Sequence, residues 1–454
     1  MNYPWHVPVV RIIATDAPVP AIYDATDVFT PTGVPTVTYV YRQEHDLESQ
    51  LKSAIRTPGL IVSLSGPSKS GKTVLINQII PSDNLIPVSG ASLSSPEQLW
   101  ERVLSWMDVP SETASRSGTT VGGDLAVKAT ASTGVPLIAK GEIEGAVKGS
   151  IGTTRESSTK SFKAGIDQVV KEIGNSDFII FIDDFHYMSE EVQVSVARQI
   201  KEVSEKGVKI CTASVPHRSD DVVRSNSELR GRVKAIDFEY WSDDEIKQIA
   251  LQGFAALNCE VPVEVIDRLT SEAFGSPQLM QSMCLQACFY FDVGKTQKDP
   301  RRLDADQAAF KKILEHTSAT TDFSSLLEAL HAGPKLRGQT RTQYDFSDGS
   351  SGDVYRCVLL ALSKEPPALS FRYDEIYKRT RDVCVGSAPV GSSVNEALAQ
   401  MAKLADTVQP SAKVVEWSMD VLDIADPYFL YYLRCSPRLP KMKSPVSSVP
   451  VSGD

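Results

Sequence analysis

Eight residues constrain this chain more than any other stretch: Gly66-Pro67-Ser68-Lys69-Ser70-Gly71-Lys72-Thr73. They follow the apolar run Leu60-Ile61-Val62-Ser63-Leu64-Ser65 and precede a helical pattern opening with Val74-Leu75-Ile76. A Gly-x4-Gly-Lys-Thr loop between strand and helix is a phosphate cradle. Gly66 and Gly71 are expected to let the backbone turn so that successive N–H groups face phosphate oxygens, with the positive end of the next helix behind them. Lys72 is placed to reach the outer phosphates, and the Thr73 hydroxyl to ligate Mg²⁺. The whole loop, 66–73, is therefore the expected nucleotide-binding segment.

The alternation continues. Leu85-Ile86-Pro87-Val88 reads as an edge strand because it carries a proline. Ser95-Pro96-Glu97-Gln98 reads as a helix start, with Ser95 as cap and Gln98 three residues on. Phe162, Ile166, Val169, Val170 and Ile173 mark one helix face that stops at Gly174. Phe178-Ile179-Ile180-Phe181-Ile182 is a fully apolar strand ending in Asp183-Asp184, which suits a buried parallel strand with carboxylates at its ligand-binding end. Val208 to Ser214 forms another strand. Asp183 is expected in the Mg²⁺ shell opposite Thr73, and Asp184 is expected to orient or deprotonate the attacking water. The plainer alternative is a solvated pair of acids at a strand end.

Composition narrows the class. The chain has 454 residues, 42% of them apolar and 23% charged, enough for about two to four domains. No run approaches the ~18 consecutive apolar residues of a membrane-spanning helix. The opening MNYPWHVPVVRIIATDAP lacks the basic and apolar regions of a signal peptide. Seven cysteines show neither CxxC nor Cys/His metal spacing, and Cys284 and Cys288 fit one apolar helix face; structural thiols in a reducing cytoplasm are expected. A net charge of −10 means that sequence-independent nucleic-acid binding needs a local basic patch.

The order GPSKSGKT, FIIFIDDFH, then a strand ending at Ser214 resembles the ASCE branch of P-loop ATPases, in particular the AAA+ and STAND groups, from about Tyr39 to Tyr432. VYRQEHDLESQLKSAI is similar to the segment that precedes the P-loop in STAND ATPases. The resemblance implies ATP and Mg²⁺ as ligands. It also implies a γ-phosphate sensor at Ser214 or Thr212, and an arginine finger within SDDVVRSNSELRGRV, with Arg232 first, then Arg230 and Arg224. Such a finger acts on a neighbouring subunit, so a homo-oligomer is implied.

Ser242-Asp243-Asp244-Glu245 opens a run of helical patterns expected to form a lid to about residue 317. Gly275-Ser276-Pro277 resembles the GxP element of the STAND lid, whose proline packs on the base; a plain helix N-terminus is the alternative. AAA+ proteins often carry an arginine just after such a break, where Gln278 stands here. The polar stretch 318–352 reads as a linker. Helical patterns at Val354–Ser363, Tyr373–Val383 and Val394–Leu404, then two short strands, look like a winged helix over 353–435, followed by a disordered tail, 436–454. From residue 331 onward, 15 Lys/Arg face 14 Asp/Glu, and the third helix carries only Lys403, so DNA binding is not the favoured expectation. Arg372, Lys378, Arg379 and Arg381 form the dense basic cluster, read as a solvated face. STAND winged helices often carry a nucleotide-contacting histidine, but none lies beyond His331.

Residues 112–161 exceed what two strand–helix units need and contain no aromatic residue. Lys140, Glu142, Glu144 and Lys148 alternate with Ile143, Val147 and Ile151, the pattern of an amphipathic β-hairpin. Because an isolated hairpin is marginal in water, three fates stay open: pairing with neighbouring subunits, flexibility without a special role, or insertion into a membrane, which the missing aromatic girdle disfavours.

The expected fold class is thus α/β: a P-loop parallel sheet over 49–240 behind an N-terminal extension, 1–48, with a helical lid, a C-terminal winged helix and an inserted hairpin. The expected function is a cytoplasmic ATPase coupling ATP hydrolysis to a conformational or oligomeric switch. STAND resemblance implies signalling, with bacterial immunity as one setting and an effector or sensor protein in trans. The alternative is a DNA-transaction ATPase resembling origin-recognition or transposition-regulator proteins; a membrane role is the least expected.

Overall fold

The computed structural model describes residues 21–42, 45–109, 165–215, 229, 231–335, 341–410 and 413–442. The hairpin expected over 112–161, and Arg224 and Arg230, lie outside the described residues. The chain divides into two compact units: Tyr41–Tyr240, and Met1–Val40 with Trp241–Asp454.

In the first unit, strands β1 (Ile61–Ser65), β2 (Leu85–Ser89), β3 (Ile179–Asp183), β4 (Lys209–Ser214) and β5 (Val233–Asp237) form one sheet in the order β2-β3-β4-β1-β5. Every pairing is parallel. Pro87 is tolerated because, among the described residues, β2 is an edge and pairs only with β3. Successive residues of a strand point to opposite faces, so the near-continuous apolar runs feed two separate cores. Ile180 and Ile182 join Trp100, Val103, Val196 and Ile200 on one face. Ile179 and Phe181 join Leu51, Leu64 and Ile76 on the other. The covering helices include α1 (Leu47–Arg56), α2 (Lys72–Ile79), α3 (Pro96–Trp106) and α4 (Glu190–Glu205), and Ile166, Val169 and Ile173 of the helical stretch 165–173 join the first of these cores. The start of α3 differs in detail from expectation: Ser95 makes no side-chain cap, and the Gln98 carbonyl oxygen accepts from the N–H and hydroxyl of Ser94.

The chain runs from β1 to the far edge at β2, walks back through β3 and β4, then crosses to β5 on the other side of β1. The strand order reverses at β1, and a crevice at the carboxyl ends of the strands at such a switch point is where open α/β sheets bind ligands.

The second unit begins with α5 (Asp243–Ala256), α6 (Val263–Ala273), α7 (Pro277–Tyr290) and α8 (Gln307–Ser318). Ser242 and Glu245 form a complete capping box at the start of α5. Residues 21–40 pack onto these helices as a strap. The Phe29 ring lies against Gly253, where a side chain would stand 2.2 Å from the ring. Gln281 on α7 accepts from the Thr30 N–H and donates to the Thr38 hydroxyl.

The stretch expected as a linker, 318–352, instead carries α9 (Ser324–Ala332), with Leu326, Leu327 and Leu330 buried, and short strands Tyr344–Phe346 and Ser351–Gly352 that join Cys384–Val385 in a small sheet. Its Ser/Thr-rich flanks hide an apolar helix face. The C-terminal part has winged-helix topology: α10 (Val354–Ser363), β6 (Ser370–Arg372), α11 (Tyr373–Val383), α12 (Gly391–Val408), β7 (Val415–Ser418) and β8 (Val421–Ile424), the strands ordered β6-β8-β7. The three-residue strand β6 is an element the sequence pattern does not reveal. Arg379 leaves the expected solvated basic cluster. It is buried, donates to the carbonyls of Lys364 and Pro366, and stacks over Phe371.

Helix α13 (Pro427–Cys435) has seven consecutive buried residues, Pro427 to Leu433. Tyr428 and Ser282 of α7 are joined hydroxyl to hydroxyl, Tyr431 donates to the Leu314 carbonyl of α8, and Arg434 pairs with Glu272 of α6 at 2.7 Å. The tail is ordered further than expected: Arg438–Lys441 is a short helix, and buried Arg356 donates to the carbonyls of Leu439 and Met442.

Candidate nucleotide site

The loop that follows β1 is built by two backbone devices. Lys69 and Gly71 lie in the left-handed region, with φ of 62° and 97°. Such alternation with right-handed residues turns N–H groups to one side and makes an anion-binding concavity. Gly71 is also the N-cap of α2, so the positive end of that helix faces the same space. Gly66 works differently from expectation. Its φ lies outside the left-handed region; its glycine is required because a side chain would stand 2.3 Å from Phe238 Cβ and 2.8 Å from the Phe238 carbonyl oxygen. Phe238 directly follows β5, which explains why the spacing of the motif alone does not reveal this contact.

Lys72 opens α2, and its ammonium donates to the carbonyls of Gly66 and Pro67 at 2.8 and 2.7 Å. Burial lowers its pKa to about 8, a fall that the charges of Asp183 and Asp184 partly offset. The next residue, Thr73, donates its hydroxyl to Asp183 Oδ2 at 2.8 Å. The other oxygen, Asp183 Oδ1, accepts from the Asp184 N–H at 2.9 Å. Asp183 is thereby fixed at both oxygens. Asp184 sits in the left-handed region, φ 56° and ψ 38°. Burial raises its pKa, the adjacent Asp183 charge raises it further, and Lys72 opposes both.

Ser214 ends β4 beside Ser65, and its carbonyl accepts from the Gly66 N–H. Its hydroxyl is buried and has no partner among the described residues. Thr212 lies two residues deeper and donates to the Val62 carbonyl within the sheet, so Ser214 is the one at the level of the loop. Lys72, Thr73, Asp183, Asp184 and Ser214 therefore converge at the carboxyl end of β1, β3 and β4.

The core is a P-loop nucleotide-binding fold.

Two expected residues lie elsewhere. Arg232 immediately precedes β5, at the opposite end of the strands from the loop, and pairs with Glu205 at 2.9 Å. It does not join the site of its own chain. Pro277 belongs to the second unit, where it is the first residue of α7 behind the N-cap Ser276, whose hydroxyl accepts from the Leu279 N–H. The donor set at Thr73 and Asp183, a hydroxyl and a carboxylate with a second carboxylate alongside, is hard oxygen and suits Mg²⁺, which is commonly held by one or two carboxylates together with phosphates and water.

No family model and no curated protein matches the chain. Among solved structures it is similar to a Walker-type ATPase of Pyrococcus abyssi, at 15% identity over 88% of this chain and 99% of that one, TM-score 0.46. It is similar to the ORC2 protein of Aeropyrum pernix at 12% identity over 91% and 97%, TM-score 0.47. It is also similar to Cdc6p of Pyrobaculum aerophilum at 12% identity over 90% and 96%, TM-score 0.43.

Proposed function

We propose that this chain is an ATPase whose turnover drives a conformational or oligomeric switch. The observation that carries the reading is the Thr73–Asp183 hydrogen bond beside Lys72, which brings the phosphate loop and the acidic strand into one site although 110 residues separate them. The loop N–H groups and Lys72 bind the phosphates. Thr73 and Asp183 would hold Mg²⁺, which would supply charge neutralisation to the transferring phosphoryl group. Asp184 accepts a proton from the water whose oxygen attacks the γ-phosphorus, and the β–γ bridging oxygen leaves with ADP. A carboxyl pKa raised by burial and by the Asp183 charge makes Asp184 a stronger base than an exposed aspartate. Ser214, whose hydroxyl has no partner among the described residues, contacts the γ-phosphate. Arg232 acts on the site of a neighbouring copy, which makes hydrolysis dependent on a homo-oligomer, and an effector or sensor protein in trans receives the output.

Two variants test the site. Lys72→Ala abolishes nucleotide binding, and Asp184→Asn retains binding while losing turnover. Hydrolysis by Asp184→Asn at the parental rate would show that this carboxylate is not the base. Mass photometry with and without a slowly hydrolysed ATP analogue tests the switch: a monomer in both conditions leaves Arg232 without a target.

The winged-helix topology favours a second reading, a DNA-transaction ATPase. The exposed face of α12 speaks against it, since Glu396 and Asp406 outnumber Lys403 there. A loader must bind duplex DNA with strong salt dependence.

A further inference from the structure

We propose that Gly90 is a positioning residue for Asp184, and that its missing side chain is the space the Asp184 carbonyl occupies. The inference rests on the ATPase reading and extends it to a residue just past a different strand. Strands β2 and β3 run side by side with Ser89 opposite Asp183, so the chain leaves both strands at one edge of the sheet. Gly90 opens a short 3-10 turn after β2, and Phe185 opens another after β3. Where the two turns meet, a Cβ built on Gly90 would stand 2.5 Å from the Asp184 carbonyl oxygen, 3.0 Å from its carbon and 3.1 Å from Phe185 Cα. All three are backbone atoms, so no side-chain rotation relieves the clash.

The peptide that would have to yield is already fixed. The Asp184 N–H donates to Asp183 Oδ1, and the Asp184 carbonyl accepts from the Tyr187 N–H at 3.0 Å. The residue holds a left-handed φ of 56° between them. A methyl group at position 90 needs the carbonyl oxygen to retreat from 2.5 Å to ordinary contact at 3.4 Å or more. That shift passes through the same residue to its carboxylate, and through Asp184 N–H to Asp183. Misplacing a catalytic group by ~1 Å costs on the order of 10²-fold in rate. Gly90 itself has φ outside the left-handed region, so alanine meets no backbone strain of its own there. The space is the whole requirement.

The test is Gly90→Ala, with Gly174→Ala as control. Gly174 is equally crowded, a Cβ there standing 2.4 Å from the Val170 carbonyl oxygen, but it lies before β3, at the far end from the acids. Turnover, affinity for a slowly hydrolysed ATP analogue, and cooperative unfolding are measured for both variants beside the parent and Asp184→Asn. The expected result is a loss of turnover of about 10²-fold in Gly90→Ala, affinity within about threefold of the parent, and near-parental turnover in Gly174→Ala. Parental turnover in Gly90→Ala beside an inactive Asp184→Asn would overturn the inference and leave the ATPase reading standing. Loss of nucleotide affinity or of cooperative unfolding would assign Gly90 to fold stability alone and overturn it too. A parent that does not hydrolyse ATP would instead sink the ATPase reading.

Discussion

Thr73 and Asp183 are the first residue past the phosphate loop's lysine and the last residue of the acidic strand, and one hydrogen bond of 2.8 Å joins them. The same hydroxyl and carboxylate are the oxygens that would hold a divalent cation. Thr73→Val keeps the side-chain volume and removes the oxygen. Calorimetric titration with ATP, with and without Mg²⁺, should show that Mg²⁺ strengthens binding to the parent but has little effect on the variant. Because Thr73 is exposed, the melting temperature should hardly move. Equal Mg²⁺ enhancement in both proteins would remove Thr73 from the metal shell.

Lys72 sets a pH dependence of known sign. Its folded pKa, about 8, lies below the ordinary lysine value of 10.5. Between these values the unfolded chain binds more protons than the folded one, so the stability of the nucleotide-free protein rises with pH through that window. The gain is at most about 3 kcal/mol. Phosphate binding calls for the ammonium form, so ATP affinity should fall as pH climbs past about 8. Denaturant titrations from pH 7 to 10, on the parent and on Lys72→Met, check the first effect, since the methionine variant should lose this rise. A parental affinity that stays flat through pH 9 would mean that Lys72 keeps its proton in the folded state.

The Arg434–Glu272 pair is largely buried, with side-chain exposures of 6% and 13%. Arg434→Met leaves the Glu272 carboxylate enclosed without its guanidinium, which costs on the order of 3–5 kcal/mol. The double variant with Glu272→Leu should recover much of that loss, because the uncompensated charge is gone as well. Urea unfolding of the single and double variants decides it. A single-variant cost below ~1 kcal/mol would mean that water reaches the carboxylate.

The charge on α12 predicts weak DNA binding. Duplex affinity at physiological salt should fall no tighter than the ~10⁻⁴–10⁻⁶ M of non-specific binders. Fluorescence anisotropy at several salt concentrations checks it. A nanomolar constant with a steep salt slope would promote the DNA-transaction reading.

The P-loop, the acidic strand and the edge proline were legible in the sequence because each reports a local requirement: a turn, a buried apolar run, a missing donor. What stayed hidden depends on distant partners. Gly66 and Gly90 are small because of Phe238 and Asp184, and nothing within a few residues of either glycine signals it. Arg379 looks like one more cation on a basic helix until its two carbonyl acceptors are in place. Helix α9 was lost in a polar stretch because its three buried leucines span only five positions. Residues 21–40 looked like a mere extension, since their partner Gln281 lies 243 positions beyond Thr38.

That last separation has a consequence for how the chain is made. The strap leaves the ribosome before any helix it packs on exists. At ~5–20 residues per second, the interval before Gln281 is synthesised is on the order of 12–50 s, long enough for a domain of ordinary folding rate to form. The Tyr41–Tyr240 unit can therefore be complete while Phe29 still waits for its place against Gly253.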